Sequence, residues 1–137
     1  MDLTIAIKEG LGPLRFDMPV EEVCRLMGPA DEVESINNVA DEATTVLHYT
    51  KEKLTLFFEG SEPRLQCIDI ANAASTLLET PVFQLNKQEV ARLMVAHQYL
   101  EQDMDKEEWG EERLSFLDGN IDFYFDEARL VSISVGK

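Results

Sequence analysis

Apolar and polar residues alternate in two six-residue stretches of the chain. In LTLFFE, residues 54–59, every second position is apolar (Leu54, Leu56 and Phe58), and IDFYFD, residues 121–126, has apolar residues at the matching positions. Successive side chains of a β-strand point to opposite faces of the sheet. The period of two therefore predicts two strands that are each buried on one side.

Shorter apolar segments flank each of these strands. TVLHY precedes and QCIDIA follows the first strand, while RLSF precedes and LVSISV follows the second. The Asp-Gly pair in LDGN, residues 117–120, is typical of a tight hairpin, and TKEK holds the corresponding place at residues 50–53. The pattern predicts two antiparallel meanders of three strands, each with one buried face.

Two other stretches have the spacing of a helix. Apolar residues fall at positions 23, 26 and 27 and again at 90, 93 and 94, which is the i, i+3, i+4 pattern of a one-sided helix. Pro19 precedes the first stretch and Gly28 follows it, so a helix is expected to begin and end there. Asn86 and Glu89 have the spacing of a capping box before the second stretch.

The order of these elements is repeated along the chain. FDMPVEEVCRLM, residues 16–27, returns 67 positions later as FQLNKQEVARLM, residues 83–94, with six identical residues. At the same spacing Glu34 aligns with Glu101, and Tyr49 aligns with Phe116. We expect an α+β protein of two tandem repeats, each a helix packed on an antiparallel β-meander. Residues 1–71 form the first repeat, residues 72–137 the connector and the second, and the two pack as one compact body.

Composition and charge narrow the range of partners. The chain has 137 residues, of which 45% are hydrophobic, and a formal net charge of -15. The composition predicts a folded protein, and the charge disfavours binding to nucleic acid or to anionic membrane surfaces. A basic protein partner fits this charge. Solubility alone is an equally good explanation of it.

The location is expected to be cytoplasmic. No apolar run approaches the roughly 18 residues that span a bilayer, and the N-terminal MDLTIAIKEG lacks the features of a secretory signal. Cys24 and Cys67 form no C-x-x-C unit and are expected to be free thiols, as a reducing compartment allows.

The sequence offers little catalytic chemistry. The chain has two histidines, His48 and His97, and His97 falls at the end of the second helix. No partner motif accompanies His48. We therefore expect His48 to be an exposed contact residue rather than a general base. The loop beginning at Asp103 lacks the glycine and the glutamate that a calcium loop requires. We therefore expect no enzyme activity, no metal site and no cofactor. A hydrolase that uses His48 remains an alternative.

A binding face is the more specific prediction. Phe57 and Tyr124 occupy equivalent outward positions in the two repeats, and aromatic residues on a polar face often dominate an interface. The predicted partner-binding set is Phe57, Tyr124, His48, Asp69, Asp122, Asp126 and Trp109. An alternative is that another element, such as the connector at residues 72–85, covers this face. Trp109 either packs back on the core or anchors a partner.

The first repeat also carries a family resemblance. RFDMPVEEVCRLMGPADEV, residues 15–33, resembles the repeat of the β-lactamase-inhibitor-protein fold and the similar pattern of the SmpA/OmlA lipoproteins, with Asp17 where that pattern usually has glycine. Tandem versions of this architecture resemble cytoplasmic bacterial immunity proteins. The resemblance implies a monomeric inhibitor that occludes a cognate toxin, and the charge suggests a basic one. The alternative is an acidic secretion chaperone of the type III kind, which would dimerise; the internal repetition argues against it.

Overall fold

The computed structural model describes residues 1–37, 43–108 and 110–137. It contains two α-helices, α1 (Val20–Met27) and α2 (Lys87–Ala96), together with strands that form two sheets. The α+β class is therefore confirmed. Neither helix has the length and apolar content that crossing a membrane requires, and the described residues include no other α-helix.

The larger sheet has eight strands, all antiparallel to their neighbours, in the order β4-β5-β6-β7-β12-β11-β10-β9. Its strands are β4 (Glu32–Asn37), β5 (Ala43–Tyr49), β6 (Leu54–Glu59), β7 (Arg64–Ile70), β9 (Gln102–Lys106), β10 (Glu112–Phe116), β11 (Ile121–Asp126) and β12 (Arg129–Gly136). Four strands follow α1 and four follow α2. The two runs meet where β7 pairs with β12.

The smaller sheet has four short strands in the order β3-β2-β1-β8. They are β1 (Thr4–Ala6), β2 (Gly10–Leu11), β3 (Leu14–Arg15) and β8 (Thr76–Leu77). The connector supplies β8, which runs parallel to β1, and then a 3-10 turn at Val82–Gln84. The connector thus forms a strand first and a helical turn second.

The prediction of three strands in each meander is wrong, because each has a fourth. Residues 32–37 and 102–106, which the alternation did not predict as strands, form β4 and β9 at the two edges of the large sheet. Val33 and Met104 point to the core side of these edge strands, yet they are 61% and 47% exposed. Since neither face of an edge strand is covered, neither stretch needs the alternation that marks a half-buried strand.

The edge strands also change one pairing of the repeat. In the first meander, Glu34 lies opposite Val46. At the spacing of 67, Val46 aligns with Arg113. The residue opposite Arg113 is Asp105 and not Glu101. The expected match of Glu34 with Glu101 is therefore wrong by four positions. The strand registers of the two edge hairpins differ, so the constant spacing of 67 does not hold there.

The helix ends follow their sequence signals. The Asn86 side chain accepts a hydrogen bond from the Glu89 backbone N–H at 2.9 Å, and the Glu89 carboxylate accepts one from the Asn86 N–H at 3.0 Å. The capping box is confirmed. Helix α1 ends at Gly28, whose φ of 80° lies in the left-handed region and whose N–H donates to the Cys24 carbonyl at 2.8 Å.

Three non-glycine residues adopt left-handed backbone conformations at informative places. Asn120, rather than Gly119, has the positive φ of its hairpin turn, 46°, and Lys53 has a φ of 59° at the corresponding place in the other hairpin. Asp17 has a φ of 72°, a conformation that glycine adopts most easily. Its position is the one at which the resembling families usually have glycine.

The inner face of the large sheet packs into a single hydrophobic cluster. Val23 of α1, Met94 of α2 and Leu77 of the small sheet all contribute to it, so the helices and the small sheet cover the same side. Each fully buried leucine, isoleucine or phenylalanine contributes about 1.5–3 kcal/mol by leaving water. The sheet residues of this cluster are Leu47, Tyr49, Leu54, Leu56, Phe58, Leu65, Ile68, Ile70, Leu114, Phe116, Ile121, Phe123, Phe125, Leu130, Ile133 and Val135.

Candidate functional site

The side of the large sheet that turns away from this cluster is called the outer face below. It consists of the alternate residues of each strand, and most of them are half-buried. Val46 and Ser115 are the described side chains of this face that are fully buried. The connector does not cover it, since β8 lies in the small sheet and Leu77 packs in the core.

One row of side chains crosses the whole outer face. The strand registers align eight residues from edge to edge: Glu32, His48, Thr55, Asp69, Ser134, Asp122, Ser115 and Asp103. Four of these are carboxylates, and His48 is the one member that could carry a positive charge. We call these residues the central row.

Phe57 and Tyr124 lie on opposite sides of the central row. Phe57 is opposite Cys67 of β7, and Tyr124 is opposite Ser132 of β12. Both rings are half-buried, with one surface available to solvent. The outward orientation predicted from the alternation of β6 and β11 agrees with these positions.

A β-bulge places the residue opposite each ring. Cys67 and Leu65 pair with consecutive residues of β6, so Gln66 is the extra residue in β7. In the same way Val131 is the extra residue in β12. A bulge of one residue shifts the alternation by one position. Leu65 therefore stays in the core while Cys67 remains on the outer face.

Asp69 lies at the middle of the central row, opposite Ser134. Burial raises the pKa of the Asp69 carboxyl above its ordinary value, the negative charge of Asp122 adds to this increase, and a hydrogen bond from Ser134 opposes it. Asp69 and Ser132 line two neighbouring pockets of about 290 and 270 Å³. The larger pocket also includes His48 and Thr55, and the smaller one includes Tyr124.

Cys67 is not suited to nucleophilic chemistry. Its sulfur lies 3.4 Å from the Ser134 hydroxyl, and burial raises the pKa of the thiol. A thiol with a raised pKa stays protonated near neutral pH, whereas the thiolate is the reactive form. Cys24 and Cys67 are both free, as expected from their sequence positions.

His48 has a partner that the sequence did not indicate. Its Nε2 atom contacts a carboxylate oxygen of Glu34 on the neighbouring strand β4. The signal was missed because β4 was not recognised as a strand. Among the described residues no hydroxyl or thiol is hydrogen-bonded to this ring, and a nucleophile paired with a base would require such a contact.

Arg113 is a further outer-face residue that the sequence prediction did not select. Its guanidinium lies 3.5–3.6 Å from the carboxylates of Asp103, Asp105 and Glu107. Its counterpart in the first meander is Val46. The outer face is therefore apolar beside Phe57 and charged beside Tyr124, whose pKa is raised by burial. The alternation of Arg113 with Leu114 could have identified it.

The remaining predicted residues are less central. Asp122 lies in the central row, whereas Asp126 is exposed at the end of β11, opposite Arg129. Trp109 falls outside the described residues, so neither expectation for its ring is addressed. No group of three or more histidine, cysteine or carboxylate side chains in the described part of the chain could hold a metal ion.

The geometry suits recognition of another molecule across a broad surface. It offers two half-buried rings, a row rich in carboxylates and two open pockets, all on one face of a continuous sheet. Comparison of the chain with protein-family models, with curated proteins and with solved structures finds no match.

Proposed function

We propose that this chain is a protein-binding inhibitor, an immunity protein that neutralises a basic bacterial toxin by covering it. It acts in the cytoplasm as a monomer and is not an enzyme. One observation carries this proposal: Phe57 and Tyr124 lie on either side of a carboxylate-rich row, on a sheet face that no described helix or strand covers.

The two rings supply the anchors. Large side chains with few rotatable bonds bury much area at a small cost in conformational entropy, and aromatic residues are frequent among those that dominate binding. Val46 lies directly opposite Phe57 but is buried, so the Phe57 ring supplies the apolar contact area at this position. A partner seated on this face would cover both rings and the central row together.

Charge supports a basic partner. The central row contains four carboxylates. Of the cations beside it, Arg113 already faces three carboxylates, and Lys53 lines the pocket next to Asp69. The face therefore retains an excess of negative charge. Such an excess accelerates the encounter with a basic protein and discriminates against acidic ones.

The family resemblance and the tandem repeat belong to the same proposal. Several features recur in both halves: the bulges at Gln66 and Val131, the left-handed residues Lys53 and Asn120, and an isolated bridge from the residue before each helix to Arg64 or Arg129. These recurrences support duplication of a helix-and-meander unit. The left-handed Asp17 supports the resemblance to the inhibitor fold.

The test begins with the partner. The tagged chain is expressed in its native cell, the bound protein is identified by mass spectrometry, and the purified partner is titrated calorimetrically against the wild type, Phe57→Ala and Tyr124→Ala. Each ring variant is expected to weaken binding at least tenfold, about 1.4 kcal/mol. Co-expression should also rescue cells from the partner's toxicity.

Leu117→Ala is the matched control, because Leu117 is an exposed apolar residue in a hairpin turn, 61% accessible. It should change affinity less than twofold. Unchanged affinity in both ring variants, with folding verified by circular dichroism, would remove the outer face as the binding surface. A sizing measurement then separates the alternatives, since an obligate dimer would favour the secretion chaperone.

A further inference from the structure

We propose that the pocket beside Asp69 receives a lysine side chain of the bound protein, so that Asp69 determines specificity within the outer face. This inference rests on the proposed function and adds the chemistry of one contact. It follows from the position of Asp69, from the groups around the pocket and from the absence of a cation paired with this carboxylate among the described residues.

The pocket is well placed for a contact at the centre of an interface. It has a volume of about 290 Å³. Four adjacent strands line it: β5 through His48, β6 through Thr55, β7 through Asp69 and β12 through Ser132. Asp69 also borders the second pocket, next to Tyr124. A side chain that reaches Asp69 therefore enters on the Tyr124 side of the central row, between Ser132 and the hairpin turn that carries Lys53.

Asp69 is a carboxylate whose charge is only partly compensated. A hydrogen bond from Ser134 lowers the pKa of Asp69, and the like charge of Asp122 raises it. Lys53 lines the same pocket from the hairpin turn but makes no ion pair with Asp69. Burial raises the pKa of Asp69 because the ionised form is poorly solvated there, and a cation from a partner would relieve that cost.

The arrangement suits an ammonium better than a guanidinium. Arginine binds carboxylates most effectively through two parallel hydrogen bonds, and Ser134 already occupies part of the Asp69 acceptor capacity. An ammonium has three donors. Asp69, Thr55 and Ser132 provide three separate acceptor groups on the walls of the pocket, and Ala71 adds an apolar wall for an aliphatic stem.

The experiment uses a small probe that needs no knowledge of the partner. N-acetyl-lysine N-methylamide is titrated into the isotopically labelled full chain at about 0.15 M salt, which screens long-range attraction, and backbone amide shifts are followed by NMR. The shifts are expected to concentrate at Thr55, Asp69 and Ser132. In Asp69→Asn they should fall at least fivefold, whereas Glu59→Gln, an equal charge change at an exposed residue of β6, should retain them.

Two further probes complete the test. The norleucine analogue, which has the stem without the charge, should produce no shifts at these amides, and the arginine analogue should bind more weakly than lysine. Equal shifts in the wild type and Asp69→Asn, or equal shifts with the norleucine and lysine analogues, would contradict the proposal that this pocket binds a lysine side chain. Tighter binding of the arginine analogue would overturn the choice of lysine.

Failure of this inference can be distinguished from failure of the proposed function. If an identified partner depends on Phe57 and Tyr124 but binds Asp69→Asn as tightly as the wild type, the lysine pocket is wrong and the binding face stands. If the lysine probe binds at Asp69 but no protein partner is sensitive to the two ring variants, the pocket stands and the inhibitor function is wrong.

Discussion

Asp69 of β7 lies directly opposite Ser134 of β12, at the seam where the two runs of four strands meet. The pairs on either side of this one, Ile70 with Ile133 and Ile68 with Val135, point into the core. The seam is thus fully apolar on its inner side. On its outer side it holds a carboxylate that is half-buried and hydrogen-bonded to a hydroxyl, an arrangement that core stability alone does not require.

We expect Asp69→Asn to raise the free energy of unfolding at neutral pH. Burial raises the pKa of this carboxyl in the folded protein, so the folded state holds the proton more tightly than the unfolded state. The contribution of Asp69 to stability is therefore lost as pH rises from its unfolded pKa through its folded pKa. Asparagine has no charge to desolvate and retains an acceptor for Ser134. Urea unfolding at neutral pH measures the difference.

The pH dependence checks the cause. The advantage of Asp69→Asn should shrink as pH falls toward 3.8, the ordinary aspartate value, because the wild-type carboxyl is then protonated in the folded state. Asp122, Tyr124, His48 and Lys53 also face this region, so the comparison is made variant against wild type at each pH. Asp126→Asn, at an exposed site, should give a much smaller difference. A loss of stability in Asp69→Asn at neutral pH would contradict the prediction.

Tyr49→Phe should lower the free energy of unfolding by about 1 kcal/mol, the usual net value of one hydrogen bond. The Tyr49 side chain is almost fully buried, and its hydroxyl donates to the Gly28 carbonyl at 2.9 Å, which ties β5 to the end of α1. Tyr124→Phe is the control, because that hydroxyl makes no hydrogen bond with the described residues. Equal costs for both variants in urea unfolding would show that the Gly28 contact contributes nothing particular.

Asn86→Ala should also cost about 1 kcal/mol, because it removes one arm of the capping box of α2 and leaves the Glu89 N–H without its acceptor. Gln88→Ala is the control. Gln88 lies two residues after Asn86, is exposed and has no capping role, so its replacement should be nearly neutral. The midpoints of thermal unfolding compare the two. A variant of Asn86 as stable as that of Gln88 would contradict a capping contribution.

Gly10→Ala should be severely destabilising, by several kcal/mol. A Cβ atom at this position would lie 1.9 Å from the Leu14 carbonyl oxygen of the neighbouring strand, and the residue has a φ of 150°. Gly28→Ala provides the comparison, since a Cβ there meets nothing within 4 Å and only the left-handed backbone is strained. Gly28 has a φ of 80° and a ψ of -175°, a conformation that is essentially restricted to glycine, and its cost for alanine is about 1–3 kcal/mol. Similar losses in the two variants would mean that the small sheet adjusts to the added atom.

The parts of the fold that could be predicted from sequence are those buried on one side. Burial of one face imposes the alternation of Leu54, Leu56 and Phe58 and the helical spacing that includes Val23 and Met94. The edge strands β4 and β9 leave no such pattern, because both of their faces meet solvent. The strands of the small sheet have only two or three residues, too few to establish a period.

The candidate site was predictable to a similar extent. The alternation in β6 and β11 is enough to predict that Phe57 and Tyr124 point outward, but it does not predict which residues lie beside them. That depends on the register, and the bulges at Gln66 and Val131 shift the count by one residue within the strands. Predicting the contact of Glu34 with His48 would also require knowing that β4 and β5 form a hairpin at the edge of the sheet.

The pairing of β7 with β12 has a consequence for synthesis on the ribosome. Strands β4–β7 can assemble soon after they emerge, but the second neighbour of β7 is made only after α2 and three further strands. Until then the backbone edge of β7 is unpaired, and Ile68 and Ile70 lack part of the core that later covers them. A nascent chain stalled before β12 would expose an unpaired backbone edge and apolar side chains, both of which favour aggregation with other chains. The large sheet is therefore joined only when β12, the last of its eight strands along the chain, pairs with β7 and so stabilises β4–β7.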